Sequence, residues 1–224
     1  MRRAYLLKQE VLPMKISVIG ASRGIGRKVV EEALERGHSV TGMARSATSL
    51  GIDHAEFTAI DGDATNATDV TQAIDGADAV ILTLGVPKDA RVLKSTTLFS
   101  DATRTLITAM EEAGIKRLLT VTGFGAGDSK EKLSTPERLT QKAFLGRAYA
   151  DKDLQEKLIR DSDLDWTIAR PGILSDNRKS NAYKVLVEKE TWRNGLINRS
   201  DVADFLVTAA EDESHIHKTP ALQR

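Results

Sequence analysis

The stretch Val18-Ile19-Gly20-Ala21-Ser22-Arg23-Gly24-Ile25-Gly26 constrains this chain more than any other. An apolar run, Ile16, Val18 and Ile19, precedes it, and the residues from Lys28 to Arg36 behind it read as a helix. Strand, glycine turn and helix in that order form a unit that cradles phosphate. The glycines let the backbone turn without a Cβ clash and bring bare N–H groups to a pyrophosphate at the positive end of the helix. Their spacing is Gly-x-x-x-Gly-x-Gly, not the commoner Gly-x-Gly-x-x-Gly, so the flanking strand and helix carry the argument. Gly20, Ser22, Arg23, Gly24, Ile25 and Gly26 are the first candidate binding residues.

The rest of the chain repeats the alternation. Ile25, Val29, Val30, Ala33 and Leu34 share a helix face, and Gly37 ends that helix. Strands are expected at residues 39–43, 55–60, 77–84, 116–122 and 165–170, with helices between them at 66–74 and from Leu98 to Ala113, Gly114 standing behind the second. Thr135 and Pro136 read as cap and first helical position. The segment from Pro136 to Tyr149 is expected to cover the site as a lid, with a second helix at 150–161. Beyond Pro171 the pattern weakens: short strands at 184–188 and 196–198, and a helix capped by Ser200. This is the signature of an α/β fold, a Rossmann-type doubly wound parallel sheet with helices on both faces. It is read as one domain over residues 14–224, with a small C-terminal subdomain on the substrate side. Residues 1–13 are read as an N-terminal extension dispensable to the fold, the competing reading being that Tyr5 to Leu7 pack on the body.

At the end of the second strand, about 20 residues past the glycines, an NAD-preferring protein would offer an acid to the ribose hydroxyls. Here Met43-Ala44-Arg45-Ser46 contains none. Arg45 with Arg23 suggests two guanidinium groups around a 2′-phosphate, hence NADP (NADPH) rather than NAD. The competing reading is two solvated surface arginines. Residues after parallel strands line the ligand crevice, which makes Asp63 and Ala64 candidates for the adenine edge, and Leu84 and Gly85 for the adenosine ribose. The glycine-rich run Gly123 to Ser129 after strand five is a substrate-side loop.

With 32 basic against 32 acidic residues among 224, no overall field draws nucleic acid or an anionic membrane, and a small molecule is the expected partner. The absence of cysteine removes disulfides, thiolate metal sites and a Cys nucleophile together, and a reducing cytoplasm fits it. No apolar run approaches a signal-peptide core or a membrane span. The four histidines lack ligand spacing beside acids, so no metal is expected. Oligomeric state, monomer or homodimer, stays open.

Four separated matches now accumulate: Gly20 to Gly26, Asp61-Gly62-Asp63-Ala64, the run Lys152 to Gly172, and Arg199-Ser200-Asp201-Val202-Ala203. Together they resemble the atypical short-chain dehydrogenase/reductase group, the NAD(P)H-binding proteins that include NmrA-like regulators and the biliverdin/flavin reductases. The resemblance implies that Thr122 and Gly123 flank the nicotinamide, that Lys152 reaches its ribose, and that Pro171, Gly172 and Ile173 contact the carboxamide side. Short-chain dehydrogenases with a known proton relay use Tyr-x-x-x-Lys, whereas Tyr149 and Lys152 are three apart here, a rotation of about 100° on a helix. Tyr149 is thus either a catalytic acid or a packing or lid tyrosine. Thr122, Tyr149 and Lys152 are the catalytic candidates, with the proton expected from solvent or Thr122 and hydride transfer resting on positioning. Such a site suits flavins, quinones and other conjugated acceptors. The expected function is an NADPH-dependent reductase; the competing ones are an NADP(H)-binding redox sensor without turnover, or an epimerase.

Overall fold

A strand covered by helices on both faces needs no polar side, and the continuous apolar runs of this chain become such strands. The computed structural model describes residues 12–85, 97–180 and 182–224, with Phe144 described by its backbone only. Residues 1–11 of the expected extension, and the charged connection read at 86–94, lie outside the described residues. Strands β1 (Lys15–Ile19), β2 (Ser39–Ala44), β3 (Phe57–Asp61), β4 (Ala79–Leu82), β5 (Arg117–Val121) and β6 (Asp165–Pro171) are all parallel, in the order β3-β2-β1-β4-β5-β6. That is the Rossmann order. Helices α1 (Gly24–Glu35) and α5 (Arg199–Glu211) bury one face around Val18, Val29, Ile81 and Leu206. Helices α2 (Ala67–Ile74), α3 (Leu98–Ala113) and α4 (Thr135–Arg160) bury the other around Ile19, Leu82, Leu106 and Ile159. The strand order reverses between β1 and β4, where Thr83 N donates to Ile19 O at 2.8 Å.

Several boundaries differ from the sequence reading. Helix α1 begins at Gly24, so two glycines occupy its first turn. The expected lid and the helix after it are one helix of 26 residues, α4. Only Gly146 interrupts its good helix formers, and a glycine there costs about 1 kcal/mol, too little to break a packed helix. Its cap is Ser134, one residue earlier than expected, and Ser134 N donates to Glu137 Oε2 at 2.9 Å. Helix α5 likewise starts at Arg199 with Asn198, not Ser200, as its cap.

After Pro171 the chain forms β7 (Ile173–Ser175), β8 (Lys184–Leu186), β9 (Leu196–Asn198) and β10 (Ala221–Gln223). Strands β7 and β9 pair with each other outside the main sheet and form a small C-terminal element. Strand β10 instead adds to the main sheet, parallel to β6, with β8 antiparallel beyond it. Leu222 stands in register with Pro171, and Gly172 N donates to Leu222 O at 3.1 Å. Three-residue strands such as β7 and β10 are too short for periodicity to reveal.

Candidate functional site

A cleft of about 830 Å³ opens at the carboxyl ends of the strands, over the reversal between β1 and β4. That volume falls within the range of roughly 300–1,000 Å³ found for small-molecule and cofactor sites. A second hollow of about 790 Å³ lies at the opposite edge, around Gly76, Gly114 and Arg117. Ligands of open α/β sheets bind at the carboxyl edge, so the first is the candidate site.

The turn after β1 is held by Gly20 N and Ala21 N, which both donate to Met43 O, at 2.9 and 3.1 Å. Gly20 has φ +95° and Gly24 φ +60°, conformations that side chains with a Cβ rarely adopt. Arg23, the N-cap of α1, makes no capping hydrogen bond through its side chain, and no acid stands in the first turn. The first N–H groups of the helix are left for an anion, so the cradle fits a pyrophosphate. Gly26 is not among the residues lining the cleft, and a Cβ there would overlap Gly20 O and come within 2.5 Å of Thr83 Oγ1. Its bareness lets α1 sit on the β1–β4 junction.

Ser22, Arg23, Gly24, Ile25, Arg45, Asp63, Ala64, Leu84 and Gly85 line the cleft at this end. Arg23 and Arg45 are exposed at the rim, and neither forms an ion pair among the described residues. Hydrogen bonds from Thr65 N and Thr65 Oγ1, at 2.9 and 2.8 Å, hold the Asp63 carboxyl below the usual carboxylate range, and the charge of Arg45 adds to the effect.

Thr122, Gly123, Tyr149, Lys152, Pro171 and Gly172 meet at the other end. Leu145, Tyr149, Lys152 and Glu156 recur at four, three and four residues, one stripe of α4 aimed at β5 and β6. Three residues separate Tyr149 and Lys152 by roughly 60° around the axis, close enough for both to reach the cleft. Tyr149 is therefore part of the wall, its hydroxyl so near Gly123 that a Cβ there would stand 2.8 Å from it. Burial raises the Tyr149 pKa, against a hydrogen bond from Gln141. Lys152 Nζ donates to Val121 O at 3.3 Å and sits 4.1 Å over the Phe99 ring. Burial lowers its pKa to about 8, although Glu156 and Asp151 favour the charged form. Asp151 also accepts from Phe99 N at 2.8 Å, at the start of α3.

Behind this wall Thr122 Oγ1 donates to Glu156 Oε1 at 2.7 Å. Arg170 Nε donates to the same oxygen at 3.0 Å, and Arg170 Nη2 reaches Glu156 Oε2 at 2.5 Å and Asp128 Oδ1 at 2.6 Å. Arg170 and Glu156 are both fully buried. The Thr122 proton is thus directed at a carboxylate. The Ile173 side chain is 57% exposed and outside the cleft lining, while Leu174 lines it, since neighbours in a strand face opposite sides.

The sequence reading missed Met43, Thr83, Leu98, Leu145, Asp176 and Arg199 in the lining. Leu145 was recoverable from the helical stripe. Arg199 arrives from α5, 175 positions beyond Gly24, and no local pattern announces that meeting. Among the described residues no group of His, Cys, Asp or Glu is arranged to hold a metal, and no helix is long and apolar enough to cross a membrane.

Comparison with known proteins bears on the same cleft. A family profile described as NAD(P)H-binding matches residues 20–213, from the glycine turn to the end of α5. The chain belongs to this NAD(P)H-binding family. UPF0659 protein YMR090W of Saccharomyces cerevisiae is 28% identical over 223 residues, covering 95% of this chain and 91% of the yeast protein. A short-chain dehydrogenase/reductase of Veillonella parvula, solved in complex with NADP, superposes with a TM-score of 0.80 at 19% identity over 95% of each chain, which shows the fold. ChuY of Escherichia coli O157:H7, described as an anaerobillin reductase, superposes with a TM-score of 0.74 at 25% identity, covering 93% of this chain and 96% of ChuY.

Proposed function

We propose that the protein is an NADPH-dependent reductase that passes hydride to a small conjugated acceptor of the flavin, quinone or linear tetrapyrrole kind. The observation that carries this reading is the pair of rim arginines, Arg23 and Arg45, exposed beside the glycine turn with no ion-pair partner among the described residues. Unpaired guanidinium groups at the adenosine end suit a 2′-phosphate, which planar, always-charged Arg binds well. Gly20, Ser22, Gly24 and Ile25 would hold the pyrophosphate. Asp63, Ala64, Leu84 and Gly85 would line the adenosine. When bound, the dihydronicotinamide supplies the hydride.

The chain's own residues position that chemistry. Lys152, protonated below about pH 8, offers its ammonium to the nicotinamide ribose. Thr122, Gly123, Pro171 and Gly172 form the floor of that end. Leu98, Leu145 and Leu174 give it apolar walls suited to a flat, conjugated acceptor. With the Thr122 hydroxyl bonded to Glu156, the proton comes from solvent through the open cleft. The reductase name of ChuY supports this class of acceptor by likeness.

Single-turnover oxidation of bound NADPH, followed by loss of its absorbance with FMN, dichlorophenolindophenol and quinones as acceptors, tests the reading. Oxidation by at least one of them is expected. Tight NADPH binding with no oxidation by any acceptor would instead make the protein a cofactor sensor.

A further inference from the structure

The motif Arg199-Ser200-Asp201-Val202-Ala203 finds no role in the reading above, although its first residue lines the cleft. Asp201 is fully buried and accepts from Ser180 N and Ser180 Oγ, both at 2.7 Å, and from Asn198 Nδ2 at 2.8 Å. Asn198 in turn donates to Arg178 O at 3.0 Å and accepts from Ser175 Oγ at 2.6 Å. These bonds fasten the segment after β7 to the start of α5. The same fastening fixes the place of Arg199, the first residue of that helix.

Arg199 projects back across the cleft to the glycine turn. A Cβ built on Gly24 would stand 3.8 Å from Arg199 Nε and 3.9 Å from its Cδ, ordinary contact distance. The guanidinium therefore hangs over the first turn of α1, where the helix presents its uncapped N–H groups. Asp176, itself 77% exposed, engages only Nη1, at 2.7 Å, while the Arg199 side chain is 18% exposed. Of the five donors on a guanidinium, that ion pair occupies one on Nη1. The face toward Gly24 keeps donors for an anion seated on the helix terminus.

We infer that Arg199 is a third arginine of the phosphate site, one that grips the pyrophosphate common to NAD and NADP, whereas Arg23 and Arg45 read the 2′-phosphate. This rests on the proposed dinucleotide cleft, and it goes further in dividing three cations into a discriminating pair and a non-discriminating one. It also links the two walls, because Arg199, Asn198 and Asp201 form one continuous stretch that holds the segment over the cleft. Cofactor phosphate and the substrate-side wall would then be tied through a single helix start.

Isothermal titration of NADP+ and NAD+ into the wild-type protein, Arg199→Met, Arg199→Lys and Arg45→Met tests it. Arg199→Met keeps the apolar stem and loses only a partly exposed ion pair, so its melting temperature without cofactor should match the wild type. The expected result is that Arg199→Met weakens both dinucleotides by a common factor of about tenfold or more, that Arg199→Lys recovers part of it, and that Arg45→Met weakens NADP+ alone. Wild-type affinities retained in Arg199→Met while Arg45→Met loses NADP+ would overturn the inference and leave the cleft reading standing. A loss in Arg199→Met confined to NADP+ would also overturn it, since Arg199 would then belong with the 2′-phosphate. A wild-type protein that binds neither dinucleotide would overturn both.

Discussion

The two ends of the cleft handle charge in opposite ways. At the glycine-turn end Arg23 and Arg45 stand in solvent without ion-pair partners among the described residues. At the other end Lys152, Glu156 and Arg170 are buried, and Glu156 and Arg170 bond to each other and to Thr122 or Asp128. A solvated cation changes affinity with little effect on folding. A buried pair is part of the fold, and breaking it by removing one partner leaves a charge with nowhere to go. Substitutions at the first end should therefore read out in binding alone, and at the second in stability as well.

The largest effect expected is one that destroys the distinction. Gly26→Val pushes a side chain into Gly20 O and Thr83 Oγ1, so the α1–β1–β4 junction opens and carries the phosphate turn with it. A loss of more than about 3 kcal/mol in urea unfolding is expected, with no cofactor-dependent rise in melting temperature. A stable variant that still answers to NADP+ would show the turn is not the site. Next comes Glu156→Gln, which leaves Arg170 buried with Asp128 as its remaining carboxylate. A destabilisation of roughly 3 kcal/mol is expected. A loss below about 1 kcal/mol would mean the two ends do not differ as described.

Arg45→Asp should leave the unfolding curve unmoved and reverse the cofactor preference. A charge-assisted contact to phosphate is worth roughly 1.5–3 kcal/mol, so a swing of at least tenfold in the ratio of dissociation constants is expected by calorimetry. Equal wild-type affinities for NADP+ and NAD+ would break that side of the comparison.

How much of this was legible in the sequence follows the same division. The glycine turn, Arg45 and the strand ends could be placed because each sits a fixed distance from a regular element. The parallel sheet was legible for the same reason, since its strands are continuous apolar runs such as Ala79–Leu82. Spacing cannot tell a glycine that meets ligand from one that meets carbonyl oxygen, and Gly26 has Gly20 O beside it. The buried end was harder. Its partners meet across 14 residues from Glu156 to Arg170 and 34 from Thr122 to Glu156, and the helix that joins them was divided at Ala150. Read as one helix, Leu145, Tyr149, Lys152 and Glu156 would have stood out as a stripe.

Two smaller effects sharpen the comparison within the buried end. Lys152 loses its proton as pH rises through about 8, so the Michaelis constant for NADPH should climb above that pH, and Lys152→Ala should remove the climb. Stability runs the other way. The unfolded chain keeps this proton to about pH 10.5, so the penalty of burying the ammonium is full below pH 8 and fades between 8 and 10.5. The smallest effect is expected from Tyr149→Phe. Its hydroxyl has a raised pKa, and Lys152 bonds to Val121 O, so turnover should stay within about tenfold, or about 1.4 kcal/mol in the barrier. A loss of a hundredfold with binding intact would make Tyr149 the acid.

The pairing of β10 with β6 also sets an order of events during synthesis. Pro171 and Gly172, on the cleft floor, are held by Leu222, and Arg170 N donates to Pro220 O at 2.9 Å. A growing chain can assemble β1 to β5 and the glycine turn long before that strand has left the ribosome. The floor at Pro171 must wait for some fifty more residues, so that end of the cleft takes shape only once β10 has been made.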